Sequence, residues 1–129
     1  MTEYPADRSY TEQHEWVQVT GLIARIGVTE HAASALGDIV YASLPTVGAN
    51  VAVGDTCAEL ESTKSVSDVY APVTGVIAAI NDAVADAPET INDDPFQAGW
   101  LFDIQMESGL PDGLLDVDAY EQLVSGSDG

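Results

Sequence analysis

The sequence predicts a mainly β fold, an antiparallel barrel or sandwich carrying short peripheral helices and one C-terminal helix. Three observations predict it. Apolar residues recur at period two in several short runs, Gly or Pro separates those runs, and an amphipathic helical pattern appears only near the end, after Asp116. At 129 residues the chain has the size of one domain, drawn as 1–129, and can bury a core without disulfide staples.

Taken in order, residues 1–9 read as a flexible polar N-terminal arm. Trp16 to Val19 and Leu22 to Val28 read as a hairpin around Gly21, the second strand with Leu22, Ala24, Ile26 and Val28 on one face. Thr29 can cap a short helix ending at Leu36, with Glu30 in its first turn and Gly37 after its last. Ile39 to Leu44 is β-branched and aromatic, and Pro45 ends it. Turn signals at Gly48-Ala-Asn50 and Val53-Gly-Asp55 flank a short extended piece. From Thr56 to Ser62, Ala58 and Leu60 alternate with Glu59 and Glu61, the pattern of a strand with one buried and one wet acidic face. Ser62 to Ser67 is too short and polar for a helix, so the chain turns there, with Lys64 near the tip, and Asp68 to Ala71 returns as the second strand of a hairpin. A turn at Pro72 to Gly75 leads to a strand at Val76 to Ile80. Asn81 to Pro95 holds one short helical turn near Glu89, and Trp100 to Met106 is a last strand. Asp116 then caps a helix, drawn as 116–125, with Val117, Tyr120, Leu123 and Val124 on one face and Gly126 past its end.

Composition excludes several function classes. With 22 acidic residues against Arg8, Arg25 and Lys64, the net charge is −19. Such a surface repels phosphate backbones and anionic lipid, so neither nucleic acid nor a membrane surface is an expected partner. Complementary partners present basic faces. One cysteine, Cys57, permits no internal disulfide and no Cys-based zinc site, which fits a reducing cytoplasm. The N-terminal residues show no targeting pattern, and no run approaches the length of a membrane span.

No catalytic constellation emerges from the residues. Cys57 opens an apolar strand, where a small buried thiol is the ordinary occupant. His14 and His31 stand beside Glu15 and Glu30, but neighbouring residues of an extended chain point to opposite faces, so neither pair makes a metal site; both read as structural or surface histidines. Asn92-Asp-Asp94 lacks a calcium-loop pattern and reads as a solvated loop. Glycine-rich phosphate loops and a nucleophile elbow are missing too. Lys64 differs in kind, being the single lysine, placed on a turn where a primary amine would project into solvent as an attachment point for a carboxylic acid. On position and uniqueness alone, an ordinary exposed lysine is the better reading.

A wider pattern weighs on that choice. Glu61-Ser-Thr-Lys64-Ser-Val-Ser-Asp68 followed by Tyr70-Ala-Pro-Val-Thr-Gly75 resembles the lipoyl-attachment segment of the glycine cleavage system H-proteins. His14-Glu-Trp16, Ile26-Gly-Val-Thr-Glu-His31, Leu36-Gly-Asp-Ile-Val40, Leu44-Pro45, Val53-Gly-Asp55, Ile91-Asn-Asp-Asp-Pro95 and Gly99-Trp100 resemble the same family in the same order, from about Tyr10 to Tyr120.

The resemblance implies a barrel-sandwich hybrid fold of the lipoyl/biotinyl-carrier kind and a carrier in place of a catalyst. It implies lipoate as the covalent cofactor, amide-linked to Lys64. It implies as partners a pyridoxal-phosphate glycine decarboxylase, an aminomethyltransferase, a dihydrolipoyl dehydrogenase, and a lipoate ligase or lipoyl/octanoyl transferase. The aminomethyl group of glycine would pass on the arm from the first enzyme to the second, and Glu15 and Asp68 would meet the ammonium end of the loaded arm, since a carboxylate stabilises a partly desolvated cation. Gln13 departs from the small polar residue many relatives have there. The alternative is a lipoyl carrier or lipoate relay for another multienzyme system such as the 2-oxo-acid dehydrogenases; their lipoyl domains typically read Asp-Lys-Ala at the site and biotin carriers Met-Lys-Met, whereas this chain reads Thr63-Lys64-Ser65.

Overall fold

A computed structural model describes residues 4–111 and 113–127. Among the described residues, nine strands form two sheets. Strands β1 (Ser9–Tyr10), β2 (Glu15–Thr20), β3 (Ile23–Val28), β5 (Asn50–Val51), β8 (Gly75–Ile80) and β9 (Phe102–Met106) make a six-stranded sheet in the order β1-β2-β3-β9-β8-β5. Strands β4 (Ile39–Ser43), β6 (Thr56–Ser62) and β7 (Val66–Tyr70) make a three-stranded sheet in the order β4-β6-β7. All pairings are antiparallel. This is the predicted mainly β architecture, two sheets enclosing a shared aliphatic core.

That core follows from the alternation in each strand. Ala24 and Ile26 of β3, Ala58 and Leu60 of β6, Val69 of β7, Ile77 of β8 and Ile104 of β9 are at most 4% exposed and pack in one cluster. Burying each of the Ile, Leu and Val side chains among them contributes about 1.5–3 kcal/mol, which is what binds the two sheets together. Helix α1 (Glu30–Leu36) closes one end; Thr29 Oγ1 accepts from Ala32 N, and Gly37 ends the helix with φ of +84°, a left-handed conformation that disfavours a side chain. The chain between Ile80 and Pro95, where one helical turn is expected, forms two: α2 (Asp82–Asp86), capped by Asn81, and α3 (Glu89–Asp93).

A second cluster is aromatic. Tyr10, Trp16 and Tyr120 are fully buried, with Tyr4, Phe96 and Trp100 packed against them. Tyr10 stacks on Tyr120 at 4.7 Å, and the Tyr4 ring meets both edge-on. Residues 4–9 therefore differ from a free arm: the Arg8 guanidinium lies 4.6 Å from the Trp16 ring centroid and donates to the Phe96 carbonyl, and Ser9–Tyr10 pairs with β2. The polar composition hid this because the segment is held by three aromatic rings contributed from elsewhere, Trp16, Phe96 and Tyr120. Residues 1–3 lie outside the described residues. The final helix, α4 (Val117–Ser127), is capped by Asp116, whose carboxylate accepts from Ala119 N at 2.8 Å; it runs through Gly126, where an end was expected. Trp16 packs so tightly that a Cβ on Gly27 would lie 2.5 Å from its ring, so only glycine fits opposite it on β3.

Candidate functional site

The β6–β7 hairpin presents Lys64 at its tip. Ser62 organises the turn: its hydroxyl accepts from Lys64 N at 3.2 Å and Ser65 N at 3.0 Å, and its own N–H donates to the Ser65 carbonyl at 2.8 Å. A serine that satisfies two turn amides favours this reversal over a continued strand. Thr63 N donates to the Asp38 carbonyl at 3.2 Å, tying the tip to the start of β4. Thr63, Lys64 and Ser65 are all exposed, as expected for a turn meant to be reached by another protein. The Lys64 stem lies over Gly37, its Cε 3.5 Å from where a Cβ would stand.

Glu15 sits in the opposite environment. It is 2% exposed, at the start of β2, on the wall of a cleft of about 600 Å³ lined also by Thr11, Gln13, Val53, Tyr70 and Leu114. His14 delivers it: with φ of +69°, His14 turns the chain sharply into β2, and its Nδ1 lies 2.8 Å from the Tyr120 hydroxyl, itself 2.7 Å from Thr29 Oγ1. One Glu15 oxygen accepts from the Thr11 hydroxyl at 3.1 Å and the other from Tyr70 N at 2.7 Å. Since β7 is an edge strand, Glu15 supplies an acceptor for its backbone and joins the two sheets. Neither partner is charged. Burial pushes the Glu15 carboxyl up to about 7, against the smaller opposing pull of the Tyr70 amide and the Thr11 hydroxyl. Burial also lowers the His14 imidazole, helped by nearby His31.

The expected partner carboxylate stands elsewhere. Asp68 is exposed on β7, paired with Glu59 of β6 and outside the cleft lining, two residues before Tyr70. Trp16 is core, its Nε1 donating to the Pro95 carbonyl at 2.9 Å. Cys57 is half-buried against the core, and its thiol is pushed up to about 11 by burial, then by Asp55 and Glu15. Thr11 and Tyr70 went unforeseen as site residues. Both act through contacts that span four and 55 positions, and only the polar opening of the Thr11-Glu-Gln-His-Glu15 turn hints at the first.

Comparison with known proteins places these features in a family. The glycine cleavage H-protein family model matches residues 8–127. The chain belongs to the glycine cleavage H-protein family. It is 54% identical over 122 residues to a glycine cleavage system H protein of Beutenbergia cavernae, covering 95% of this chain and 97% of that one. It is 51% identical over 130 residues to its counterpart in Mycolicibacterium smegmatis, covering 97% and 99%. A crystal structure of a glycine cleavage system H protein from Mycobacterium marinum superposes with a TM-score of 0.85 at 40% identity, covering 98% of this chain and all of the other. The barrel-sandwich hybrid is thus the family fold. Members carry lipoate on a lysine, and the protein is the lipoyl carrier component of the glycine cleavage system, working with that system's enzymes.

Proposed function

We propose that Lys64 is the lysine that bears the lipoyl group, that the Glu15 cleft shelters the cationic cargo, and that Asp68 lies on the path between them. The observation that carries this reading is that a carrier needing a lysine has one lysine in its sequence, exposed on the turn of a hairpin. The chemistry the group supplies when bound is that of a dithiolane, which accepts an aminomethyl unit on one sulfur and is later reoxidised. The protein itself is non-catalytic: it attaches, orients and shields.

Geometry and charge support the fit. Tyr70, at the cleft, is four residues along β7 from Val66, about 13 Å at strand spacing, a span that an extended lysine plus an eight-carbon acyl chain covers. The cleft end of that path offers a buried carboxylate whose present partners are neutral, so an ammonium entering it gains a charge-assisted contact and restores the ionised form of Glu15. The aliphatic side chains of Val53 and Leu114 add apolar surface to the lining, against which an acyl chain can lie. Asp68 offers a carboxylate on the way. The three enzymes served are a pyridoxal-phosphate glycine decarboxylase, an aminomethyltransferase and a dihydrolipoyl dehydrogenase, and the compartment is the cytoplasm; no helix among the described residues is long and apolar enough to cross a membrane.

Intact mass after expression with lipoate and a lipoate ligase tests the attachment. A gain of one lipoyl group, mapped to Lys64 by peptide sequencing, is expected; a chain never acylated there overturns the reading. Glycine–bicarbonate exchange with the decarboxylase then separates this carrier from one serving 2-oxo-acid dehydrogenases.

A further inference from the structure

The outer face of the three-stranded sheet carries an apolar patch beside the hairpin tip that the core does not use. The ladder places Tyr41 opposite Glu61 and Glu61 opposite Val66, so the three side chains form one row across β4, β6 and β7. An irregularity in the pairing between Ile39 and Tyr41 adds Val40 beside that row, as a bulge does when two residues oppose one. Val66 is 57%, Val40 55% and Tyr41 53% exposed, while the next residues inward, Ala42 and Leu60, are buried. Three large apolar side chains on one short sheet face are more than scattered surface residues, and such patches mark interaction sites. The rim is acidic: Glu59 and Asp68, opposite one another in the next outward row, and Asp38 are exposed, and Glu61 stands within the patch. Val66 is two residues from Lys64, and the Asp38 carbonyl holds Thr63 of the tip, so the patch abuts the turn.

We infer that this face is the seat of the enzyme that acylates Lys64, a lipoate ligase presenting an apolar contact ringed by basic side chains. The inference rests on Lys64 being the attachment point. Reach selects this occupant over the enzymes of the glycine cycle. They meet the sulfurs at the far end of an arm, whereas the ligase must bring an acyl carbonyl to Nζ itself and so must touch the strands that flank the tip. In that step Nζ attacks the carbonyl of a lipoyl adenylate, the C–N amide bond forms, the bond to phosphate breaks, AMP leaves, and the amine's proton passes to solvent. Charge selects the partner's rim, because at −19 the chain repels an acidic ligase and steers a basic one. An apolar centre with a charged rim is also the usual anatomy of a specific contact.

The test uses the unlipoylated full chain, lipoate, ATP and a lipoate ligase, and compares wild type with the Tyr41→Thr/Val66→Thr double variant, threonine being chosen to keep strand propensity. Binding is read as Kd by calorimetry, acylation as KM and kcat by intact mass, and folding as thermal midpoint. Expected are an unchanged midpoint, a rise of roughly tenfold in both Kd and KM with kcat nearly constant, and weaker wild-type binding as salt is added. Glu59→Gln should raise Kd about twofold and shrink the salt dependence. Once fully lipoylated, the double variant should support glycine–bicarbonate exchange within twofold of wild type. Unchanged Kd and KM would overturn the inference, as would an equal loss in the exchange assay, which would give the face to the decarboxylase, or a wild-type dimer that the variant abolishes, which would give it to a second copy. Wild type that gains no mass on Lys64 would instead sink the attachment reading itself.

Discussion

The hairpin tip and the Glu15 cleft are built on opposite physical plans. Lys64 hangs from a turn organised by Ser62 and tied through Thr63 N to the Asp38 carbonyl, with exposed neighbours on both sides and its stem lying over Gly37. Glu15 is buried, bonded through both oxygens to two different segments, and placed by a left-handed histidine that is itself held by a buried tyrosine. A group that must be modified by another protein has to be reachable, and reachability forbids the desolvation that strengthens electrostatics. A group that must hold a cation away from water needs that desolvation, and burial raises its affinity for any positive charge that arrives, a proton included. One carrier therefore keeps attachment and shelter apart, joined by a flexible arm.

Breaking the exposed half should have the largest effect and the least structural consequence. Lys64→Arg is expected to abolish lipoylation and glycine cleavage entirely, since a guanidinium is not acylated, while the thermal midpoint stays within about a degree, because an exposed turn residue contributes little to stability. Intact mass and a thermal melt check both halves of that statement.

The buried half should show its cost in the pH dependence of stability. The Glu15 carboxyl is raised from 4.5 to about 7 in the folded chain, so between those values the folded state keeps a proton that the unfolded state has released. Stability contributed by this group is therefore full below pH 4.5 and is lost as the pH rises through 7, by about 3 kcal/mol in all. Urea unfolding at pH 5 and pH 8 should show this loss in wild type, and Glu15→Gln should remove about that much of the difference between the two pH values. Equal pH dependence in the two proteins would mean that the carboxyl is not buried as described.

Two smaller effects sharpen the contrast. Glu15→Gln should leave lipoylation of Lys64 intact but shorten the lifetime of the aminomethyl load about tenfold when no transferase is present, the equivalent of one lost charge-assisted contact of about 1.4 kcal/mol. Thr11→Val, which removes the hydroxyl that donates to Glu15 and accepts from Gln13 N and Glu15 N, should shorten that lifetime about threefold and raise the Glu15 carboxyl further, read by carbon NMR of the side-chain carboxyl. Thr11→Ser should restore both.

Much of the strand framework is legible along the chain because it depends on local alternation: Ala58 and Leu60 against Glu59 and Glu61 define β6, and Ala24 and Ile26 define the inward face of β3. The turn at Lys64 and the caps at Thr29 and Asp116 are local as well, since each is a polar side chain serving amides within three residues. Segments whose order comes from distant partners are not legible in this way. Residues 4–9 look like a polar tail until Trp16, Phe96 and Tyr120 gather around Tyr4, Arg8 and Tyr10. Asn81 to Pro95 folds into two short helices because Asn81 caps one while its amide bonds the Ala98 and Trp100 carbonyls, 17 and 19 residues away.

By itself the sequence determined the period-two strands, the acidic surface, the single lysine on a short polar turn, and a family pattern running through most of its length. Tertiary structure alone decided that Glu15 faces a cleft, that Thr11 and the Tyr70 amide hold it there, that Asp68 stands outside, and that Val40, Tyr41 and Val66 meet on one face. The reason is range. Alternation, capping and turn chemistry act over a few residues and leave their mark on neighbouring letters, whereas desolvation and cross-strand register depend on segments that only the folded chain brings together.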